Sequence, residues 1–106
     1  MVALDKIMVD FKAAFHGFMQ AAVDDARLGP LHISLYAAIL HFYSVQEDQG
    51  PLSVFGKQLM QYAKISSSNT YHRLIQELHR YGYIHYIPSY NPVLGSLVYL
   101  LKQGCK

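Results

Sequence analysis

Four polar residues in segment 67–81 recur at the spacing of one helical face: Asn69, Arg73, Gln76 and Arg80. At about 100° per residue, this stripe lies opposite the apolar residues of the same segment, which are Tyr71, Leu74, Ile75 and Leu78. An Arg side chain can donate two hydrogen bonds to the major-groove edge of guanine, and Asn or Gln can form a two-bond pair with adenine. The stripe therefore predicts a helix that reads duplex DNA. The same residues also suit the solvated face of an ordinary surface helix, and the pattern leaves both interpretations open.

Residues that begin and end helices flank this segment. Ser66 or Ser67 can accept a hydrogen bond from a backbone N–H of the first turn, and Gly82 is a natural left-handed stop. The first turn would contain Ser68, Asn69 and Thr70. Phosphates are attracted to such a turn because free amides and the positive end of the helix dipole point outward. We expect Lys57 and Lys64 to flank it.

The elements on either side follow the plan of a winged helix-turn-helix. Residues 54–64 are predicted to form the preceding helix, and the short run 52–55 an edge strand before it. Residues 83–87 and 96–101 are aromatic and β-branched enough to form two strands, joined by the turn-forming residues 88–95. This hairpin would be the wing.

Two further helices are predicted in the N-terminal half. Residues 31–48 are apolar around most of the helix, which is typical of a central helix. Residues 3–27 carry apolar side chains at steps of three and four, and Gly29 with Pro30 ends that segment. We therefore divide the chain into an N-terminal amphipathic helix, residues 1–30, and a winged-helix DNA-binding domain, residues 31–106. The fold class is mainly α with a small β-hairpin, a three-helix core plus wing with an additional long N-terminal helix.

The Phe- and Met-rich stripe of the N-terminal helix needs a partner. It can pack on the rest of its own chain, or it can meet its copy in a second chain and form a homodimer. Two-fold DNA sites favour two-fold proteins, so dimerisation stays open beside internal packing. A membrane-surface helix is disfavoured because the polar face carries more Asp than Lys or Arg.

Charge is unevenly distributed along the chain, although the net charge is only +2. Residues 1–48 contain three basic and six acidic side chains, whereas residues 49–106 contain six basic side chains and a single acid, Glu77. A phosphate backbone would attract the second half and leave the first half outside the contact. This division is expected of a DNA-binding module with a separate association segment, although so few charges can also scatter this way by chance.

Length and composition limit the classes of protein. A chain of 106 residues with 52% apolar residues can bury a core without metal or disulfide staples. Its one cysteine, Cys105, favours a reducing compartment. The charged start and the lack of eighteen consecutive apolar residues predict a soluble cytoplasmic protein without a signal peptide or a membrane contact.

Catalytic and cofactor motifs are not evident in the sequence. The six histidines, which are His16, His32, His41, His72, His79 and His85, lack metal-binding spacing. Asp24 and Asp25 are adjacent and point in different directions on a helix, and glycine-rich nucleotide loops are missing. We therefore predict no enzyme, no metal, no cofactor and no small-molecule ligand. A sensor with a pocket between the first helix and the core is a third possibility, without a polar cluster to support it.

The stretches LHISLYAAILHFY, TYHRLIQELHRYGYIHYIPSYNP and the later GS resemble a group of small bacterial winged helix-turn-helix proteins described as transcriptional regulators, some linked to mobile elements. The likeness covers about residues 31–101. It implies that helix 67–81 enters the major groove and that the hairpin touches the flanking backbone or minor groove. By position, it implies DNA contacts on the helix at Ser67, Ser68, Asn69, Thr70, His72 and Arg73. On the wing it implies contacts at Ser89, Tyr90, Asn91 and Ser96.

The wing departs from that group in its charge. Val93, Leu94 and Leu97 stand where lysines are common in the group, and Ser68 stands where Lys would be unsurprising. Each missing phosphate contact lowers affinity and salt sensitivity, so DNA binding is weaker or the wing contacts protein instead.

Together these features predict a sequence-specific double-stranded DNA-binding protein, a transcriptional regulator or mobile-element accessory factor. The alternative is a winged-helix protein-protein interaction module with an apolar wing. The candidate DNA contacts are Lys57, Lys64, Ser67, Ser68, Asn69, Thr70, His72, Arg73, Gln76, Arg80, Ser89, Tyr90, Asn91 and Ser96.

Overall fold

The computed structural model describes residues 2–46, 52–89 and 95–101, with side chains described from residue 11 onward. In these ranges the chain forms four helices and a three-stranded antiparallel sheet. The elements are α1 (Val2–Val23), α2 (Pro30–Val45), β1 (Leu52–Val54), α3 (Gly56–Ala63), α4 (Ser68–Arg80), β2 (Ile84–Ile87) and β3 (Ser96–Leu100). A mainly helical fold with a small antiparallel sheet is therefore correct. None of the helices in the described ranges combines the length and apolar character that crossing a membrane requires.

Helix α1 is shorter at its C-terminal end than the predicted 3–27. It ends at Val23 because the next backbone N–H groups, those of Asp24 and Asp25, bond three residues back, to the carbonyls of Ala21 and Ala22. The carboxylate of Asp25 also accepts the backbone N–H of Arg27 at 3.0 Å. A side chain that captures a nearby backbone donor competes with helix continuation, so the chain turns here.

Helix α2 lies at the centre of the fold, as predicted. It contacts α1, α3, α4 and β1, and its buried residues are His32, Leu35, Tyr36, Ala38 and Ile39. Pro30 occupies the first helical turn, where the missing N–H costs nothing. The helix ends at Val45, before the predicted residue 48, and residues 47–50 lie outside the described ranges.

The N-terminal helix packs on this centre mainly through Phe18, with Met19 and Ala22 also packed against the core. The ring of Phe18, which is 0% exposed, lies parallel to the ring of Tyr36 with centroids 3.8 Å apart. Phe15, one turn away, is 39% exposed. Internal packing of the apolar stripe is therefore realised at Phe18.

The sheet has the strand order β1-β3-β2, so the predicted edge strand pairs with the second strand of the hairpin. Leu52 pairs with Val98 and Val54 with Ser96, while Ile84 of β2 pairs with Leu100. Gly95, at φ +70°, precedes β3 where a Cβ atom would lie 2.8 Å from the carbonyl oxygen of Val54. Only glycine fits this approach without displacing β1.

Candidate nucleic-acid interface

The face of α4 that the sequence predicted to be polar is exposed. Asn69, Arg73, Gln76 and Arg80 are all exposed, and Tyr71, Leu74, Ile75 and Leu78 on the opposite face are buried. Nothing in the described part of the chain covers the polar stripe. The two-faced helix expected from the spacing is therefore present.

Helix α4 begins as a serine-capped helix. The Ser67 hydroxyl oxygen accepts the backbone N–H of Thr70 at 3.3 Å, and the helix starts at Ser68. Ser68, Asn69 and His72 are exposed, and Thr70 is half-buried. At the other end Gly82 has φ +89°, and the N–H of Tyr83 bonds to the carbonyl of Leu78 at 3.0 Å. This is the left-handed stop that the sequence predicted.

The two predicted flanking lysines lie at opposite ends of α3. Lys57 is exposed in the first turn, and Lys64 is exposed immediately after the last residue of the helix. Lys64 adopts φ +63° and ψ +41°, a left-handed conformation that allows α3 to end and the chain to turn into α4.

Tyr71 fixes the packing of α4 against the start of α3 and against the hairpin. A Cβ atom on Gly56 would lie 3.0 Å from Cε2 of Tyr71, so α3 approaches this ring closely. Burial, and next the nearby Tyr86 side chain, raises the pKa of the Tyr71 hydroxyl. The hydroxyl group therefore stays protonated at neutral pH.

A second contact ties the hairpin to α4. The backbone N–H of Tyr86 donates to Nδ1 of His79 at 3.0 Å. The Tyr86 hydroxyl lies 3.3 Å from that of Ser96 in β3. Ser96 is half-buried, so a phosphate contact from its hydroxyl has to share or replace this bond.

The outer part of the predicted wing is described only in part. Ser89 is half-buried, and Leu97 is half-buried within β3, paired with Ser53 and Ile87. Tyr90 and Asn91, both predicted DNA contacts, lie outside the described residues, as do Val93 and Leu94 of the apolar alternative.

Arg73 is held by a connection that the spacing of residues did not predict. Its Nη1 donates to Oε1 of Glu77 at 3.2 Å, and the same oxygen lies 2.7 Å from Nε2 of the buried His32. The hydrogen bond from His32, helped by the charge of Arg73, lowers the pKa of Glu77 below its ordinary value. Glu77 is therefore ionised at neutral pH, and a single carboxylate joins the core to the exposed stripe.

A second unpredicted cluster joins the α1–α2 turn to the end of α4. Asp25 accepts two side-chain hydrogen bonds from Arg27, both at 2.8 Å, and one from the hydroxyl of Tyr83 at 2.7 Å. These bonds lower the pKa of Asp25 far below 3.8. The guanidinium of Arg27 also lies 4.0 Å from the ring centre of Tyr81. Arg27 is therefore occupied by structural contacts.

In the described ranges, no group of three or more His, Cys, Asp or Glu side chains is placed to hold a metal ion. His79 and His85 are neighbours, with ring centroids 5.3 Å apart, but Nδ1 of His79 already accepts the backbone N–H of Tyr86. Glu77 is engaged by His32 and Arg73.

Comparisons with protein-family models, curated proteins and solved structures each return no match for this chain. The resemblance to small bacterial winged-helix regulators therefore stays a prediction carried by the quoted residues.

Proposed function

We propose that this protein is a sequence-specific double-stranded DNA-binding protein of winged helix-turn-helix type, a transcriptional regulator or a mobile-element accessory factor. The observation that carries the proposal is the exposed stripe of α4. Asn69, Arg73 and Gln76 would read base edges, because their side chains project from the face opposite the core.

The order of the elements supports the proposal. Helices α3 and α4 are joined by a short turn at residues 64–67, and α4 is followed directly by the β2–β3 hairpin. The hydrogen bond from the backbone N–H of Tyr86 to Nδ1 of His79 holds the hairpin against α4. A rigidly attached hairpin beside a reading helix would contact the DNA backbone next to the groove that the helix enters.

Charge also supports the proposal. Lys57, Lys64 and Arg80 are exposed and would contact phosphates, together with the Ser67 end of α4. Arg27, in the acidic half of the chain, is neutralised by Asp25.

We further propose a homodimer formed through α1. Within its described residues only Phe18 is fully buried, while Phe15 is 39% and Val23 is 79% exposed. A second copy of α1 would cover these side chains and place two reading helices on a two-fold site. Light scattering should give twice the chain mass for the wild type and a lower mass for Phe15→Glu. A monomeric wild type at high protein concentration would contradict this part of the proposal.

The test of DNA binding is a titration of the intact chain with mixed-sequence duplex at about 50 and 200 mM salt. We expect binding that weakens steeply with salt, followed by enrichment of a defined sequence from a random duplex pool. Lys64→Ala should reduce the salt dependence, whereas Lys12→Ala should not, because Lys12 is exposed on α1, which the proposal leaves outside the DNA contact. Absence of binding at low salt would favour the alternative, an interaction module for protein partners.

A further inference from the structure

Glu77 is the only acidic residue among residues 49–106, and it lies in the proposed DNA-binding helix. It stands four residues after Arg73 and three before Arg80, so it shares their side of α4. A carboxylate at this position repels phosphates and lowers the affinity for any duplex. We therefore expect Glu77 to contribute to a property of the protein other than its affinity for DNA.

The core holds the carboxylate in one orientation. His32, which is 5% exposed, accepts the backbone N–H of Gly29 at Nδ1 over 2.9 Å. Because Nδ1 accepts a hydrogen bond, it carries no proton, and the ring proton is on Nε2. The Nε2–H group then donates to Oε1 of Glu77 at 2.7 Å.

The same carboxylate oxygen holds the exposed guanidinium. Arg73 Nη1 donates to Oε1 at 3.2 Å, with the side chain of Arg73 58% exposed and that of Glu77 19% exposed. Among the described residues Arg80 has no ion pair, so the two arginines of the stripe differ in their restraint. A side chain already held in one orientation loses less rotamer freedom on binding. It also binds less well to a base edge that lies in a different position.

We infer that Glu77 and His32 are positioning residues that fix Arg73 for reading one base pair, so that the protein gains sequence selectivity and loses general affinity for DNA. This inference rests on the proposed DNA-binding function. It assigns a role to the one negative charge in the basic half of the chain.

Four variants separate the effect of holding Arg73 in place from the effect of the negative charge of Glu77. Glu77→Gln removes both the charge and the strong acceptor for Arg73. His32→Asn keeps an acceptor for the Gly29 N–H but is too short to reach Glu77, whereas His32→Gln places an N–H donor near the position of Nε2. Asp24→Asn removes an equal charge from an exposed position after α1. Thermal melts identify the variants that remain folded.

The first measurement needs no DNA. In NMR spectra of the guanidinium groups, rotation about the Nε–Cζ bond should be about tenfold slower for Arg73 of the wild type than for Arg80, because only Arg73 has an Nη group held by a carboxylate. Glu77→Gln and His32→Asn should bring Arg73 to the rate of Arg80, and His32→Gln should restore slow rotation. Equal rates for the two arginines in the wild type would overturn the inference.

The second measurement uses the duplex selected by the wild type and the same duplex with the preferred base pairs replaced. Glu77→Gln should bind the replaced duplex about fivefold more tightly than the wild type, with the ratio of the two affinities reduced about tenfold. His32→Asn keeps the negative charge of Glu77. The ratio of its affinities for the two duplexes should therefore fall, without a gain in affinity for the replaced duplex. Asp24→Asn should leave the ratio unchanged.

Two outcomes distinguish the possible failures. If the wild type binds and selects DNA but Glu77→Gln keeps the ratio within about twofold, the inference is wrong and the proposed function stands. If the wild type binds no duplex at low salt, the proposed function itself fails, and the assignment of selectivity fails with it.

Discussion

The carboxylate of Asp25, in the turn between the first two helices, accepts a 2.7 Å hydrogen bond from the hydroxyl of Tyr83, which follows α4. These residues are 58 positions apart in the sequence. The same carboxylate binds Arg27, whose guanidinium lies over the ring of Tyr81. The end of α1 is thereby fixed to the end of the proposed reading helix.

This cluster should make stability depend on pH in acid. The hydrogen bonds from Arg27, and next that from Tyr83, hold the pKa of Asp25 well below 3.8 in the folded protein. The folded state therefore favours the ionised carboxylate. The stabilisation is complete above the ordinary pKa and is lost as the pH falls below about 4 toward the folded value.

We expect Asp25→Asn to lower the melting temperature at about pH 7, with the difference from the wild type shrinking as the pH falls below about 4. Scanning calorimetry across this range measures both proteins. Asp24→Asn serves as the control, because Asp24 is exposed and should show a smaller change. A constant difference between wild type and Asp25→Asn at every pH would contradict the role of the ionised carboxylate.

The stacked pair of Phe18 and Tyr36 predicts how strongly α1 contributes to stability. Phe18→Ala should lower the free energy of unfolding by about 3–5 kcal/mol, because it leaves a cavity beside a ring 3.8 Å away. In the monomer, at low protein concentration, Phe15→Ala should cost less than about 1 kcal/mol, since Phe15 is 39% exposed in the single chain. Urea unfolding followed by circular dichroism compares the two. Similar costs for both variants would mean that α1 packs differently from the arrangement described here.

The close approach of α3 to Tyr71 predicts an unusual effect of adding one methyl group. Gly56→Ala would ordinarily favour a helix, but its Cβ atom would lie 3.0 Å from the ring of Tyr71, which is 3% exposed. We expect a net loss of about 1–2 kcal/mol in the free energy of unfolding. In a Tyr71→Leu background the same change should cost less, which a double-mutant cycle measures. An equal cost in both backgrounds would exclude the contact as the cause.

Local patterns in the sequence were sufficient to predict most of the elements and the two faces of α4. Ser67 begins the helix and Gly82 ends it as expected, because capping and left-handed stops depend on residues a few positions apart. Apolar periodicity likewise placed α2 at the centre.

The contacts that position Arg73 could not be predicted in this way. His32 and Glu77 are 45 residues apart, and neither has a neighbour in the sequence that indicates the other. Their pairing depends on how α2 crosses α4, which periodicity does not specify. The one available signal was Glu77 itself, a single acid within a basic half. The hydroxyl of Ser96 could not be placed from the sequence either, because the register of β2 and β3, and not residue type, sets it beside Tyr86.

If Arg73 reads a base and Lys64 binds a phosphate, replacing each of them should affect DNA binding in a different way. Arg73 projects from the exposed face of α4, and Lys64 lies in the left-handed turn before this helix. A base contact carries sequence information, and a phosphate contact does not. Arg73→Ala should therefore cost about 1–3 kcal/mol of binding free energy on the selected duplex and relax the choice of one base pair.

Lys64→Ala should weaken binding to every duplex by a similar factor. It should also reduce the slope of log affinity against log salt concentration by about one. An Ala at this position still has to adopt φ near the +63° of Lys64, so Lys64→Gly provides the variant in which charge is removed without backbone strain. Fluorescence anisotropy with the selected and a scrambled duplex at several salt concentrations measures all three variants. Equal small losses for Arg73→Ala and Lys64→Ala on both duplexes would show that α4 lies near DNA only as a charged surface, because a side chain that reads a base has to lose more on the sequence it selects.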